Sequence, residues 1–129
     1  MERLKIIVEK VSAIGGDRKV VFSTEYGNAT ANWDGDLPEE GKEYFVEIEI
    51  GETLALGNNL KICNEAKFTI GMEHDSVFLT GYLESIEEDG YAVLRFGDSI
   101  VSLEIMGAIP PESFVKVISD EVTLFDVKY

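Results

Sequence analysis

The stretch of sequence that decides the fold is residues 45–50, which read Phe45-Val46-Glu47-Ile48-Glu49-Ile50. Successive side chains of a β-strand point to opposite faces of the sheet, so this alternation places the aliphatic side chains on one face and the two glutamates on the other. A strand with one buried and one solvent-exposed face shows this pattern. Residues 101–105, which read VSLEI, repeat it.

Further short runs rich in β-branched and aromatic residues predict more strands, and no window shows the i, i+3, i+4, i+7 apolar stripe of a helix. The predicted strands are residues 4–11, 19–23, 28–33, 45–50, 54–56, 68–72, 77–86, 91–96, 101–105, 114–118 and 122–127. Turn residues separate them, for example Gly15-Gly16 and Glu88-Asp89-Gly90. Many short, closely spaced strands predict an all-β protein that forms a compact barrel or sandwich.

The first half of the chain aligns weakly with the second, in the same order throughout. The matching segments are residues 8–11 with 83–86, 20–22 with 94–96, 36–38 with 108–110, 45–48 with 114–117, and 53–54 with 123–124. This repeat predicts that 1–57 and 76–129 are related halves, each of which resembles a small OB or SH3-like barrel in architecture. The apolar residues within 58–75 predict a packed joining segment, so the whole chain, 1–129, is expected to form a single compact unit.

The charge of the chain restricts its partners. Twenty-five acidic residues against eleven basic ones give a formal net charge of −14. Nucleic acid and anionic membranes are disfavoured, because binding to phosphates depends on Lys and Arg. A basic protein surface would be attracted, although solubility alone also explains such a charge. A lone cysteine, Cys63, and the lack of a long apolar run favour a cytoplasmic protein with no membrane span.

Few residues suggest catalysis or a cofactor. His74 is the only histidine and lies in the polar run 73–76, which reads as a solvated turn. No zinc-type spacing and no EF-hand loop is present, so neither a metal site nor a cofactor is expected. Asp34-Gly35-Asp36 is interpreted as a hairpin turn, and Cys63 as a small core residue.

Acidic residues are concentrated between positions 34 and 52. This stretch contains eight acidic residues and one basic residue, Lys42, so its net charge is half of the total of −14. This run resembles the surface of small acidic inhibitors, immunity proteins or nucleic-acid mimics that block basic clefts. Trp33 and Tyr44 are expected to provide an aromatic anchor inside the acidic rim. The candidate partner-binding residues are Trp33, Asp34, Asp36, Glu40, Glu43, Tyr44, Glu47 and Glu49. A solvated strand face whose charges deter aggregation is the alternative interpretation.

A second acidic run, consisting of Glu84, Glu87, Glu88 and Asp89, is predicted to be a hairpin tip.

Three functions remain open from the sequence. The first is a non-catalytic acidic interaction module, such as an inhibitor or immunity-type protein, that binds a basic partner protein. The second is an OB-like binder of single-stranded nucleic acid or oligosaccharide, with Trp33, Tyr44, Tyr82 and Tyr91 as stacking platforms. Its basic groove would come from Arg3, Lys5, Lys10, Arg18, Lys19, Lys61 and Lys67. The third is a small enzyme that uses carboxylate or His74 chemistry. The sequence leaves the oligomeric state open.

Overall fold

The computed structural model describes residues 3–14 and 17–127. In these ranges the backbone forms twelve β-strands and no helix, which confirms the predicted all-β class. The strands are Leu4–Ile14 (β1), Asp17–Thr24 (β2), Gly27–Asp34 (β3), Glu43–Ile50 (β4), Leu54–Ala55 (β5), Leu60–Ile62 (β6), Thr69–Glu73 (β7), Ser76–Ile86 (β8), Tyr91–Phe96 (β9), Ser99–Met106 (β10), Ser113–Ser119 (β11) and Val122–Asp126 (β12).

Eight of these strands close into a β-barrel. Neighbours follow in the order β1, β2, β3, β7, β8, β9, β10 and β4, and β4 returns to β1 through antiparallel pairs such as Leu4 with Val46. Between β3 and β7 the described chain has one ladder pair, in which Gly27 lies opposite Ile70.

Strand β12 lies between β3, to which it is parallel, and β4, to which it is antiparallel. It thereby completes a smaller circuit, β1-β2-β3-β12-β4. On the other side of the molecule β5 runs parallel to β10, and β6, which follows β5 after a turn, pairs with β11. Because β11 pairs with β8, these strands form a second circuit, β5-β10-β9-β8-β11-β6, which is completed by the turn between β5 and β6 and not by a strand ladder. Each circuit is therefore completed by a segment from a distant part of the chain.

Two β-bulges lie at positions that the predicted repeat aligns. Strands β1 and β8 each carry a register shift, between Val8 and Lys10 and between Leu83 and Ser85. Such bulges bend a strand, and these two fall at positions that the repeat aligns. The joining segment 58–75 contains β6 and β7. A common origin of the two halves stays a prediction.

Alternation along the strands builds the core. Val46, Ile48 and Ile50 are 0, 6 and 9% exposed, whereas Glu47 and Glu49 lie on the surface, as their alternation predicts. Complete burial of one such aliphatic side chain contributes roughly 1.5–3 kcal/mol. The inward faces of the other strands join the same continuous apolar core.

Two local predictions were wrong. The strand β6 was not among the predicted strands, because three residues are too few to show a period. Asp34-Gly35-Asp36 does not close a hairpin, because β12 separates β3 from β4. The chain there passes along the end of β12, where Gly35 lies against Asp126. The predicted turn at Gly15-Gly16 lies outside the described residues.

Gly27 is predicted to be essential for barrel closure. Its φ is +138°, and a Cβ at this position would overlap the backbone carbonyl oxygen of Ile70. We expect Gly27→Ala to lower the free energy of unfolding by roughly 3 kcal/mol or more, because the β3–β7 contact must open in addition to the backbone strain. Urea denaturation followed by circular dichroism measures this change.

The matched control is Gly41→Ala, since Gly41 also has a positive φ, +85°, but has open space around its Cβ position. This variant should lose only about 1–2 kcal/mol from the left-handed backbone. Equal losses in the two variants would show that the close approach to Ile70 is unimportant for stability.

Candidate interaction surface

The outward face of β4 presents Glu43, Phe45, Glu47 and Glu49, while the alternate residues point into the core. Phe45 is 42% exposed, so an aromatic ring stands on the surface within this row of carboxylates. The side chains of residues two apart in a strand are roughly 7 Å apart. The face therefore combines closely spaced negative charge with exposed apolar area.

A groove of about 240 Å³ lies beside this row, where β4 meets β10 and β12. Glu47 and Glu49 line it from β4, Ile100 and Ser102 from β10, and Phe125 from β12. Phe125 is half-buried and lies directly opposite Glu47 in the ladder. We call the outward side chains of β4 together with this groove the β4 face.

The carboxylates of the β4 face differ in their partners. The carboxylate of Glu43 lies 3.1 Å from the ammonium nitrogen of Lys5 on β1, and both side chains are more than half exposed. Such a surface ion pair contributes little stability. Neither Glu47 nor Glu49 forms an ion pair within the part of the chain that the structure describes. These two carboxylates are the strongest candidates for contact with a cationic partner.

The two rings of the expected aromatic anchor, Trp33 and Tyr44, pack against each other. Trp33 is only 5% exposed, and its indole N–H donates a hydrogen bond of 2.8 Å to the Asp36 carbonyl oxygen. Its ring packs edge-on against Tyr44, with centroids 5.4 Å apart, and the Tyr44 hydroxyl accepts a hydrogen bond from the Glu39 N–H. Both rings are part of the structural framework. The aromatic groups available on the β4 face are Phe45 and Phe125.

Two further predicted site residues, Asp34 and Glu40, make contacts outside the β4 face. Asp34 is exposed at the end of β3, where it lines a separate hollow with Asp17 and Arg18. Glu40 accepts a hydrogen bond of 3.0 Å from the Val11 N–H and so fastens the loop before β4 to β1. Neither residue lines the groove of the β4 face.

His74 lies at the tip of the two-residue turn between β7 and β8, where Glu73 pairs with Ser76. It is exposed and has a positive φ of 57°, a conformation that tight hairpin turns require. The neighbouring Glu73 carboxylate pairs with Lys116 of β11, and this hydrogen bond lowers the pKa of Glu73. The predicted solvated turn is observed.

The structure brings together three carboxylates that sequence reasoning did not associate. Glu52, in the β4–β5 turn, and Asp120 and Glu121, in the β11–β12 turn, place carboxylate oxygens within 4.8 Å of one another. The Gly51 N–H donates to the Glu121 carbonyl oxygen over 2.7 Å, which holds the two turns together. Oxygen ligands of this kind suit a hard cation such as Ca²⁺, which usually takes six to eight of them. No sequence spacing signals this cluster, because its two turns are about 70 residues apart.

The tyrosines proposed as stacking platforms for an OB-like binder differ in exposure. Tyr91 on β9 is 43% exposed, with its hydroxyl 3.2 Å from the Ser102 hydroxyl. Tyr82 on β8 is half-buried and packs against Phe114, with ring centroids 5.4 Å apart. Of the basic residues proposed for the groove, Lys5 is paired with Glu43 and Arg18 donates to the Gly35 carbonyl oxygen.

Searches of protein-family models, curated proteins and solved structures found no match to this chain. No helix with the length and apolar character of a membrane span occurs among the described residues. A functional conclusion therefore depends on the chemistry of the surface itself.

The carboxylate cluster predicts a pH-dependent change in stability. The pKa of Glu121 is raised, because its carboxyl group shares a hydrogen bond with Glu52 and faces the negative charges of Glu52 and Asp120. A raised pKa in the folded state contributes stability at pH values below the unfolded pKa of about 4.3, and this contribution is lost as the pH rises through the folded value. We therefore expect Glu121→Gln to raise the melting temperature at pH 7 and to have little effect near pH 4.

The control is Glu104→Gln, which removes one exposed carboxylate of β10 outside the cluster. It reports the general benefit of lowering a net charge of −14. If thermal unfolding at pH 7 gave the same gain for both variants, repulsion within the cluster would be refuted.

Proposed function

We propose that this protein is a non-catalytic acidic interaction module that binds a basic partner protein, as a small inhibitor or an immunity-type protein does. One observation carries the proposal: Glu47 and Glu49, which have no described basic partner, stand beside Phe125 at a groove of about 240 Å³. Interfaces depend on such anchor pockets more than on total charge.

The chemistry of this groove suits a Lys or Arg side chain. The aliphatic stem of either residue packs on apolar surface while its charged head stays polar, and an aromatic face attracts the cation. Phe125 offers the ring, and the two glutamates offer carboxylates on the same side of the sheet. A guanidinium or ammonium group in this position would also relieve the repulsion between the two carboxylates.

The net charge of −14 supports the same proposal through kinetics. Complementary charge accelerates the encounter of two proteins and is screened by salt, with a Debye length of about 8 Å at physiological ionic strength. Association of the partner should therefore slow as salt is added. Solubility alone would give no salt-dependent capture of a defined protein.

The test reverses charge on the β4 face. We expect Glu47→Lys/Glu49→Lys to reduce recovery of the basic partner from a source-cell lysate at least tenfold, which corresponds to about 1.4 kcal/mol. The wild-type and variant proteins are immobilised, and eluted proteins are quantified by mass spectrometry at low and high salt. Both substituted side chains point to solvent, so melting curves should stay close to that of the wild type.

The matched control is Glu65→Lys/Asp75→Lys, which makes the same change in net charge at exposed positions away from the β4 face. It should retain the partner. Retention by the β4-face variant, or equal loss from both variants, would contradict the site assignment.

The second candidate, an OB-like binder, is favoured by one observation. Two circuits of short strands are present, and the exposed Tyr91 ring lies on β9 of the second circuit. OB-fold barrels bind oligonucleotides and oligosaccharides on strand faces, with bases stacked on aromatic rings.

We expect no binding of a fluorescein-labelled oligothymidine at low salt, because the surface charge repels phosphates. Fluorescence anisotropy measures this directly. Saturable binding that Tyr91→Ala abolishes would favour the OB-like function over the acidic module.

A further inference from the structure

A second hollow, of about 600 Å³, lies between the β8–β9 turn and the segment that follows β10. Its lining includes three isoleucines, of which Ile86 is half-buried and Ile105 and Ile109 are 5 and 6% exposed. Met106, which also lines this hollow, is 66% exposed. An exposed methionine beside a hollow offers a contact to an apolar group, because its unbranched side chain adapts to different ligands.

The rim of this hollow is acidic. Glu87, Glu88 and Asp89 form the β8–β9 turn and line the hollow from one side. Neither Glu87 nor Glu88 pairs with a basic side chain in the described ranges. The predicted hairpin tip is observed for Glu87, Glu88 and Asp89, whereas Glu84 lies within β8 and pairs with Arg95 of β9. What the sequence did not indicate is the apolar floor beside the charges.

Backbone hydrogen bonds hold the rim in place. The Glu87 N–H donates to the Tyr91 carbonyl oxygen over 2.8 Å, and the Tyr91 N–H donates to the Asp89 carboxylate over 3.0 Å. The Ile105 N–H donates to the Gly90 carbonyl oxygen over 2.9 Å, which ties the turn to β10. A rim that is already ordered loses little entropy when a ligand binds.

We propose that this hollow binds a short peptide segment in which a large apolar side chain is flanked by Lys or Arg residues. The apolar side chain would cover Met106 and the isoleucine floor, and the cations would contact Glu87 and Glu88. The site shares no residue with the β4 face, so it stands independently of the function proposed above.

The negative charge of this rim disfavours two other occupants, an anionic lipid surface and a second copy of the chain. An anionic lipid surface would be repelled by the three acidic residues of the turn. A second copy of this chain would bring another net charge of −14 to the contact. A basic-apolar peptide satisfies the apolar floor and the acidic rim at once.

The probe is an acetylated synthetic peptide of alternating leucine and lysine, titrated into the ¹⁵N-labelled full chain and followed by amide chemical shifts. We expect saturable shifts concentrated at the amides of residues 86–90 and 105–109. Met106→Ser and Glu87→Gln/Glu88→Gln should each weaken binding at least fivefold. All three substituted side chains are exposed, so the fold should persist, and the amide spectrum reports this directly.

The matched control, Glu65→Gln/Asp75→Asn, removes two exposed charges elsewhere and should bind the peptide within twofold of the wild type. Shifts spread evenly over the acidic surface, or equal weakening in the control, would overturn the proposal. So would full affinity of the Met106→Ser variant. Shifts of the same amides with protein concentration alone would assign the hollow to a second copy of the chain.

Discussion

The fold depends on the backbone hydrogen bonds of β4, which has neighbours along both edges. One edge pairs with β1 and, further along, with β10, and the other edge pairs with β12. Buried backbone groups without partners are costly, so one strand holds three others in register. A slip of one residue would turn Glu47 and Glu49 into the core in place of Val46 and Ile48, and buried unpaired carboxylates are far more costly than exposed ones.

The same register produces the acidic surface. Because the inward side of β4 is apolar and buried, its glutamates point to solvent. Their like charges therefore lie close together on the surface. A similar tension exists at the turns that β12 brings together, where Glu52, Asp120 and Glu121 meet. Such repulsion lowers the stability of the isolated protein, and natural proteins retain it where charge serves recognition or solubility. The β4 face and the hollow beside the β8–β9 turn share one design, in which acidic side chains border exposed apolar area.

The alternation of residues along the strands predicts which side chains of the β4 face point outward. Residues 28–33 alternate so that Trp33 shares the inward face with Ala29 and Ala31, and the burial follows that pattern. The same parity places Phe45, rather than Tyr44, among the outward glutamates. Alternation alone therefore indicates that Trp33 faces inward and that Phe45 lies among the outward glutamates. Phe125 and the apolar floor of the second hollow had no such local signal, because strand pairing and loop packing between distant segments create them.

By itself the sequence determined the all-β class, the faces of the longer strands and the acidic character of the surface. These properties follow from periodicity and composition, which are local quantities. Only the tertiary structure decided that β12 lies between β3 and β4, that β5 pairs with β10, and that distant turns place three carboxylates within 4.8 Å of one another. The physical reason is that strand order depends on which backbone edges remain unpaired once the core is buried, and that choice is made by the whole chain at once.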